Sequence, residues 1–189
     1  MLNLDIATTA LVMVDLQAGI VGYKLAPYSG AEVVANAAKL ANRFREKGGL
    51  VVWIRVDFGP DNVLMPNPTL ENAAPHVNRP AGWTTLVPEL GVRDDEIIVT
   101  KHQWGGFYNT DLDAQLRRRG IRTLVMGGIA TNMGVESTAR CAFERCYDQV
   151  LVEDAMTSFS AEMHQFPVQH LFPRFARIRS TAQVLEALA

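Results

Sequence analysis

The sequence predicts a doubly wound α/β/α sandwich folded as one domain. Short Val- and Ile-rich runs recur along the chain, stretches of helical periodicity separate them, and 189 residues of ordinary globular composition leave room for one large core. Hydrophobic residues make up 48%, charged residues 20% and aromatic residues 8%, which argues against disorder, collagen-like repeats and a disulfide scaffold. No linker or internal repeat divides the chain, so residues 1–189 read as a single domain.

The apolar runs are Ala10 to Val14, Leu50 to Val56, Ile97 to Val99, Thr123 to Met126, Val150 to Val152 and Phe175 to Ile178. Their continuous hydrophobicity suits parallel strands covered on both faces. The clearest helical stripe, Val33, Ala37, Leu40, Ala41 and Phe44, stops at Lys47-Gly48-Gly49. Leu112 and Leu116 precede Arg117-Arg118-Arg119-Gly120, the end of another helix. A further stripe of Val135, Ala139, Ala142, Phe143 and Cys146 places Cys146 in the core, and Glu162 to Phe172 and Val184 to Leu188 supply the last two helices. Asp154 ends the fifth strand and could enter the site, although a cap for the turn before Thr157 and Ser158 is the preferred role. One connection is long: residues 57–88 carry six prolines and little periodicity, the mark of a candidate lid.

Eighteen Lys and Arg against twenty Asp and Glu give a net charge of −2, so nucleic-acid binding lacks its electrostatic source and a small-molecule substrate is expected. The first basic residue is Lys24 and Asp5 stands near the start, which is not the charged opening of a secretion signal. No apolar run approaches membrane-spanning length. Cys141 and Cys146 are poorly spaced for a disulfide, and a cytoplasmic location is expected.

In such sheets ligands bind beyond the carboxyl ends of the strands. The first strand ends in Val14-Asp15-Leu16-Gln17, where burial would raise the Asp15 carboxyl and suit it to acid/base work, although a plain cap is the competing role. The third run, ending at Val99, leads through Thr100 to a lysine immediately after the strand, Lys101, followed by His102, Gln103, Trp104, Gly105, Gly106 and Phe107. A lysine at the rim can hold a nearby carboxylate or stay a solvated surface group. The fourth runs into a glycine-rich turn, Gly127 to Gly134, whose backbone N–H groups could bind an oxyanion. That turn is no Gly-x-Gly-x-x-Gly, Gly-Lys-Ser/Thr or Gly-x-Ser-x-Gly motif, so dinucleotide, P-loop and α/β-hydrolase assignments lose their main support. Trp83 and Trp104 could line a pocket for a planar substrate or serve as packing.

Taken together the chain resembles the isochorismatase-like, or cysteine hydrolase, family along nearly its whole length. The matching pieces are Val-Asp-Leu-Gln around Asp15, Thr-Lys followed after five residues by Phe107, Gly-Gly-Ile-Ala-Thr-Asn-x-Gly-Val-Glu-Ser-Thr-Ala from Gly127, and Val-Glu-Asp-Ala from Val152. The resemblance implies a six-stranded parallel sheet and a homo-oligomer. It also implies a hydrolase with Asp15 as acid/base and Lys101 beside it, and a cis peptide at Ile129–Ala130. Substrate and oxyanion contacts are then expected from Gln17, Trp104, Ile129, Ala130, Asn132, Met133 and Gly134.

One departure changes the expected chemistry. Most members place a nucleophilic Cys where this chain has Gly134, so the thioester route of the nicotinamidase-like relatives lacks its covalent step. Cys141 lies about 10 Å further along at 1.5 Å of rise per residue, too far to substitute. True isochorismatases resemble this chain in having Gly there; they protonate a vinyl ether at carbon and add water. The alternatives are an amide or imide hydrolase in which Asp15 activates water directly, and a catalytically degenerate binding or scaffold protein. The family's zinc-dependent amidases carry an Asp-x-His-x-x-His cluster after the second strand, whereas this chain reads Val56-Asp57-Phe58-Gly59-Pro60-Asp61 and scatters His76, His102, His164 and His170. No metal and no cofactor are expected.

Overall fold

The computed structural model describes residues 2–72 and 79–188; Pro75 and His76, within the candidate lid, lie outside them. The strands are β1 (Thr9–Val14), β2 (Leu50–Val56), β3 (Ile97–Lys101), β4 (Thr123–Ile129), β5 (Asp148–Thr157) and β6 (Arg177–Arg179). They form one all-parallel sheet in the order β3-β2-β1-β4-β5-β6. The chain therefore winds outward from β1 to β3, then crosses to β4 and winds the other way. The crevice that this reversal opens lies between β1 and β4, where Val14 stands beside Gly128.

Helices cover both faces: α1 (Ala18–Val21), α2 (Gly30–Glu46), α3 (Leu112–Arg118), α4 (Glu136–Glu144), α5 (Ala161–Phe166) and α6 (Thr181–Ala187). The period-3.6 stripe of α2 buries Val33, Ala37, Leu40, Ala41 and Phe44 against alternate residues of the central strands, Leu11, Met13, Trp53 and Val125. Its start is fixed by a capping box, Ser29 with Glu32. The opposite face buries Val12, Ile54, Val99 and Met126 with Leu112, Leu116, Ala139 and Ala142. No helix among the described residues is long and apolar enough to cross a membrane.

Three strands run further than their Val/Ile content suggested, because pairing continues through residues without that signature. Thus β3 reaches Lys101, β4 runs through two glycines to Ile129, and β5 extends to Thr157. Asp154 accordingly lies inside β5 rather than capping a turn before Thr157. Its Oδ1 accepts the N–H and hydroxyl of Thr181 and so fastens the start of α6. The expected strand from Phe175 begins only at Arg177, since the N–H groups of Phe175 and Ala176 close a turn on the Phe172 carbonyl and the Phe175 ring packs on Phe172 and Phe143.

The predicted helix over Glu162 to Phe172 stops at Phe166, where Pro167 removes a backbone donor and a wider turn follows. Cys146 is not core. Helix α4 ends at Glu144, Cys146 takes a left-handed φ of 62° and is exposed, and Tyr147 is buried in its place against Phe107.

Candidate active site

Asp15 leaves the tip of β1 in a left-handed conformation, φ 56°, that a non-glycine residue adopts only where its surroundings hold it there. Its N–H donates to the Ile54 carbonyl at 2.8 Å, which continues the β1–β2 pairing one step and turns the side chain into the crevice. Lys101, the last residue of β3, reaches it across β2: Nζ lies 2.8 Å from Asp15 Oδ2 and donates also to the Gln103 carbonyl at 3.0 Å. Both side chains are buried, at 7% and 1% exposure. Asp15 Oδ1, equally buried, has no hydrogen-bond partner among the described residues. Burial pushes the carboxyl up to about 6 against the opposing pull of the Lys101 ammonium. That places it where one carboxyl can both give and take a proton near neutral pH.

The third wall comes from β4 and the wide turn after it. Gly128 passes so near β1 that a Cβ would lie 2.1 Å from the Val14 carbonyl oxygen, and its φ of 126° belongs to glycine. The Ile129–Ala130 peptide is cis. Gly134 faces the carboxylate: a Cβ there would lie 3.0 Å from Asp15 Oδ2 and 3.1 Å from Val14 Cγ1. The turn is braced from behind. Thr131 Oγ1 and His164 Nδ1 are 2.8 Å apart, and Thr138 Oγ1 donates to the Gly134 carbonyl while accepting the N–H of Gly106. Burial holds His164 down at about 4, so its imidazole is neutral in this bond.

These elements enclose a cavity of about 190 Å³, below the usual range of roughly 300–1,000 Å³ for drug-sized ligands. It gathers Asp15, Lys101, Trp104, Ile129, Ala130, Met133 and Gly134. Gln17 and Asn132 stand outside its lining. The fully buried Gln17 amide pairs with both backbone groups of Val56 and donates to the Trp83 carbonyl, which ties β2 and the long connection to the end of β1. Asn132 accepts the Ser158 hydroxyl. The N–H groups of Met133 and Val135 both donate to the Ala130 carbonyl, so these two are engaged within the turn.

The long connection supplies its own chain's pocket. Phe58, Arg79 and Trp83 line it, joined by Ile20 of α1 and by Tyr23 and Phe159 from other loops. Of these only Trp83 carried a signal in the sequence. Among the described residues no three His, Cys, Asp or Glu side chains gather as a metal would need. His102 instead bonds through Nδ1 to the Asp57 carbonyl.

A model of the isochorismatase domain matches residues 9–183. The chain belongs to the isochorismatase family. It is 46% identical over 187 residues to the isochorismatase family protein YwoC of Bacillus subtilis, covering 98% of this chain and 96% of the relative. YecD of Escherichia coli O157:H7, from the same family, is 45% identical over the full length of both. The ureidoacrylate amidohydrolase RutB of Methylorubrum extorquens is 35% identical, over 80% of this chain and 70% of that protein. Among solved structures, an isochorismatase family protein from Burkholderia thailandensis superposes with a TM-score of 0.95 at 42% identity, covering 98% and 97% of the two chains. As an isochorismatase-family member the chain is a hydrolase, and the six-stranded parallel sheet is that of its fold neighbours.

Proposed function

We propose that this hydrolase acts on a small carboxylate-bearing or cyclic substrate through Asp15 as general acid/base, with no thiol nucleophile. One observation carries the reading: the position facing Asp15 Oδ2 is Gly134, which has no side chain, while Oδ1 is buried without a partner on the same cavity. The site thus offers a proton and an open space for substrate or water where the resemblance places a cysteine.

Vinyl-ether hydrolysis fits these parts. Protonated Asp15 gives its proton to the terminal alkene carbon, and the alkene electron pair forms the new C–H bond. The oxocarbenium ion left at the neighbouring carbon takes up water, and the resulting carboxylate of Asp15 removes a proton from that water. The hemiketal then collapses: its hydroxyl oxygen forms the C=O bond, the C–O bond to the leaving group breaks, and the hydroxyl proton passes to the leaving oxygen, releasing an alcohol and a keto acid with Asp15 protonated again. Lys101 stabilises the carboxylate half of the cycle through its 2.8 Å contact.

The test is keto-acid release from isochorismate as the vinyl-ether probe. Turnover that falls by roughly 10²–10⁴-fold in Asp15→Asn, the usual worth of a general acid, supports the reading. Turnover unchanged by the substitution, or no product from either protein, contradicts it.

The likeness to RutB favours a second reading, in which ionised Asp15 activates water for attack on an amide. Ammonia release from small amides and imides that depends on Asp15 but not on Cys141 selects it, and ligand binding without turnover selects a binding role. Assembly with identical chains belongs to the same proposal and is supported by the exposed apolar side chains of Val63, Leu64, Trp104 and Tyr108. Sedimentation at the mass of one chain would contradict it.

A further inference from the structure

The cavity holds a second cation that the Asp15–Lys101 pair does not explain. Arg79 lies on its wall, with the guanidinium carbon 4.6 Å from the centre of the Phe58 ring and 4.7 Å from that of Trp83. Its Nη1 is buried and has no hydrogen-bond partner among the described residues. A buried guanidinium donor without an acceptor is costly, so a native site that keeps one is prepared for an acceptor that arrives from outside. The other cation in the cavity is already committed, since Lys101 Nζ is held by Asp15 Oδ2 and the Gln103 carbonyl.

The platform beneath Arg79 is built in place. The Trp83 carbonyl accepts the Gly19 N–H at 3.0 Å and the Gln17 amide at 3.2 Å, and the indole lies so close to the backbone that a Cβ at Gly19 would fall 1.9 Å from Trp83 Cδ1. Phe58 stands 6.2 Å from Trp83, centre to centre. With the guanidinium held over the two rings, Nη1 is left for an acceptor, and a guanidinium can match a carboxylate through two parallel N–H···O bonds.

We infer that Arg79 anchors the carboxylate of the substrate, and that the Phe58–Arg79–Trp83 cluster restricts the pocket to small, flat monoanions whose reacting end reaches Asp15. This rests on the cavity being the reaction site proposed above, and it adds the group that selects the ligand. A single guanidinium in a cavity of about 190 Å³ with apolar walls suits one carboxylate better than a phosphate dianion, which calls for more donors.

The experiment is calorimetric binding of benzoate, its neutral isostere benzamide and inorganic phosphate to the full chain. Benzoate is expected to bind more tightly than either of the others. Arg79→Met is expected to weaken benzoate by roughly 10- to 100-fold, the worth of a charge-assisted contact, and to leave benzamide unchanged. Arg79→Lys keeps the charge without the fork and is expected to recover part of the affinity. Trp83→Leu removes half of the stacking platform and is expected to weaken benzoate with Arg79 intact; unchanged thermal melting of each variant excludes misfolding as the cause.

Equal binding of benzoate and benzamide to the wild type, or benzoate affinity indifferent to Arg79→Met, overturns the inference, and so does phosphate binding more tightly than benzoate. Failure of the catalytic reading shows elsewhere, as turnover indifferent to Asp15, and benzoate should still bind Asp15→Asn.

Discussion

Strand β3 carries a buried ion pair at each end, and the two pairs are built to opposite purposes. Before its first residue, Glu96 receives Arg45 through both oxygens, the Trp53 indole N–H at 2.8 Å and the Arg93 N–H at 3.0 Å. Burial works against that carboxylate, yet the hydrogen bonds from Arg45, Arg93 and Trp53 and the Arg45 charge hold it below its usual range. At its last residue, Lys101 meets an Asp15 that has one oxygen unpartnered and a carboxyl raised to about 6. Cavities adjoin both pairs, and the one beside Arg45 and Glu96 is the larger, about 410 Å³. Size does not mark the site; an incomplete set of hydrogen bonds does. A satisfied pair fixes structure, whereas an unsatisfied one is held ready for a group that is not part of the chain.

The largest effects should come from breaking each pair. Removing one partner of a buried ion pair costs about 3–5 kcal/mol, so Lys101→Met and Arg45→Met are both expected to lower the unfolding free energy by about that much in chemical denaturation. They should separate in function. Lys101→Met removes the influence that lowers the Asp15 carboxyl and is expected to move its titration above 6, with turnover lost. Arg45→Met is expected to keep full turnover at temperatures where the chain is folded. Equal losses of turnover in the two variants would erase the contrast.

Stability against pH gives the next effect, with opposite signs. Asp15 holds its proton more tightly in the folded state, about 6 against 3.8, so between these values folding takes up a proton and stability falls as pH rises. Glu96 is held below 4.5, so its contribution is complete above that value and is lost as pH falls through the lower folded one. His164, near 4 rather than 6.5, acts in the same sense as Glu96, since the unfolded chain takes up the proton first as pH falls. Melting curves of Asp15→Asn are therefore expected to gain on the wild type as pH rises from 4 to 6.5. The deficit of Glu96→Gln should shrink as pH falls below 4.5.

Much of the fold was legible in the sequence because buried parallel strands are written in Val and Ile and helix stops in Gly. Asp15 and Lys101 were legible because chemistry in this architecture sits at strand ends, and each stands within two residues of the end of a readable apolar run, Asp15 just after β1 and Lys101 at the last position of β3. Gln17 was not, since the same position that could face a ligand here turns inward onto Val56 and Trp83. Arg79 lies in a long connection without periodicity, and only the folded chain brings it onto Phe58 and Trp83. Cys146 was misread because the stripe of α4 continues in sequence past the point where the helix turns left-handed.

The smallest expected effect is a null one. Neither Cys141 nor Cys146 lines the cavity, so iodoacetamide is expected to leave wild-type turnover unchanged. The same reagent should inactivate Gly134→Cys, whose thiol would stand against Asp15. Loss of wild-type activity on alkylation would bring a native cysteine into the chemistry.

The incomplete pair is tested most directly by titrating Asp15 itself, through the carboxyl ¹³C resonance assigned by its disappearance in Asp15→Asn. A midpoint of about 6 is the expected result, with kcat/KM for the proton-donating reaction falling through the same value as pH rises. A midpoint at or below 3.8, with activity unchanged across that range, would show a fully stabilised carboxylate like Glu96 and contradict the role assigned to Asp15.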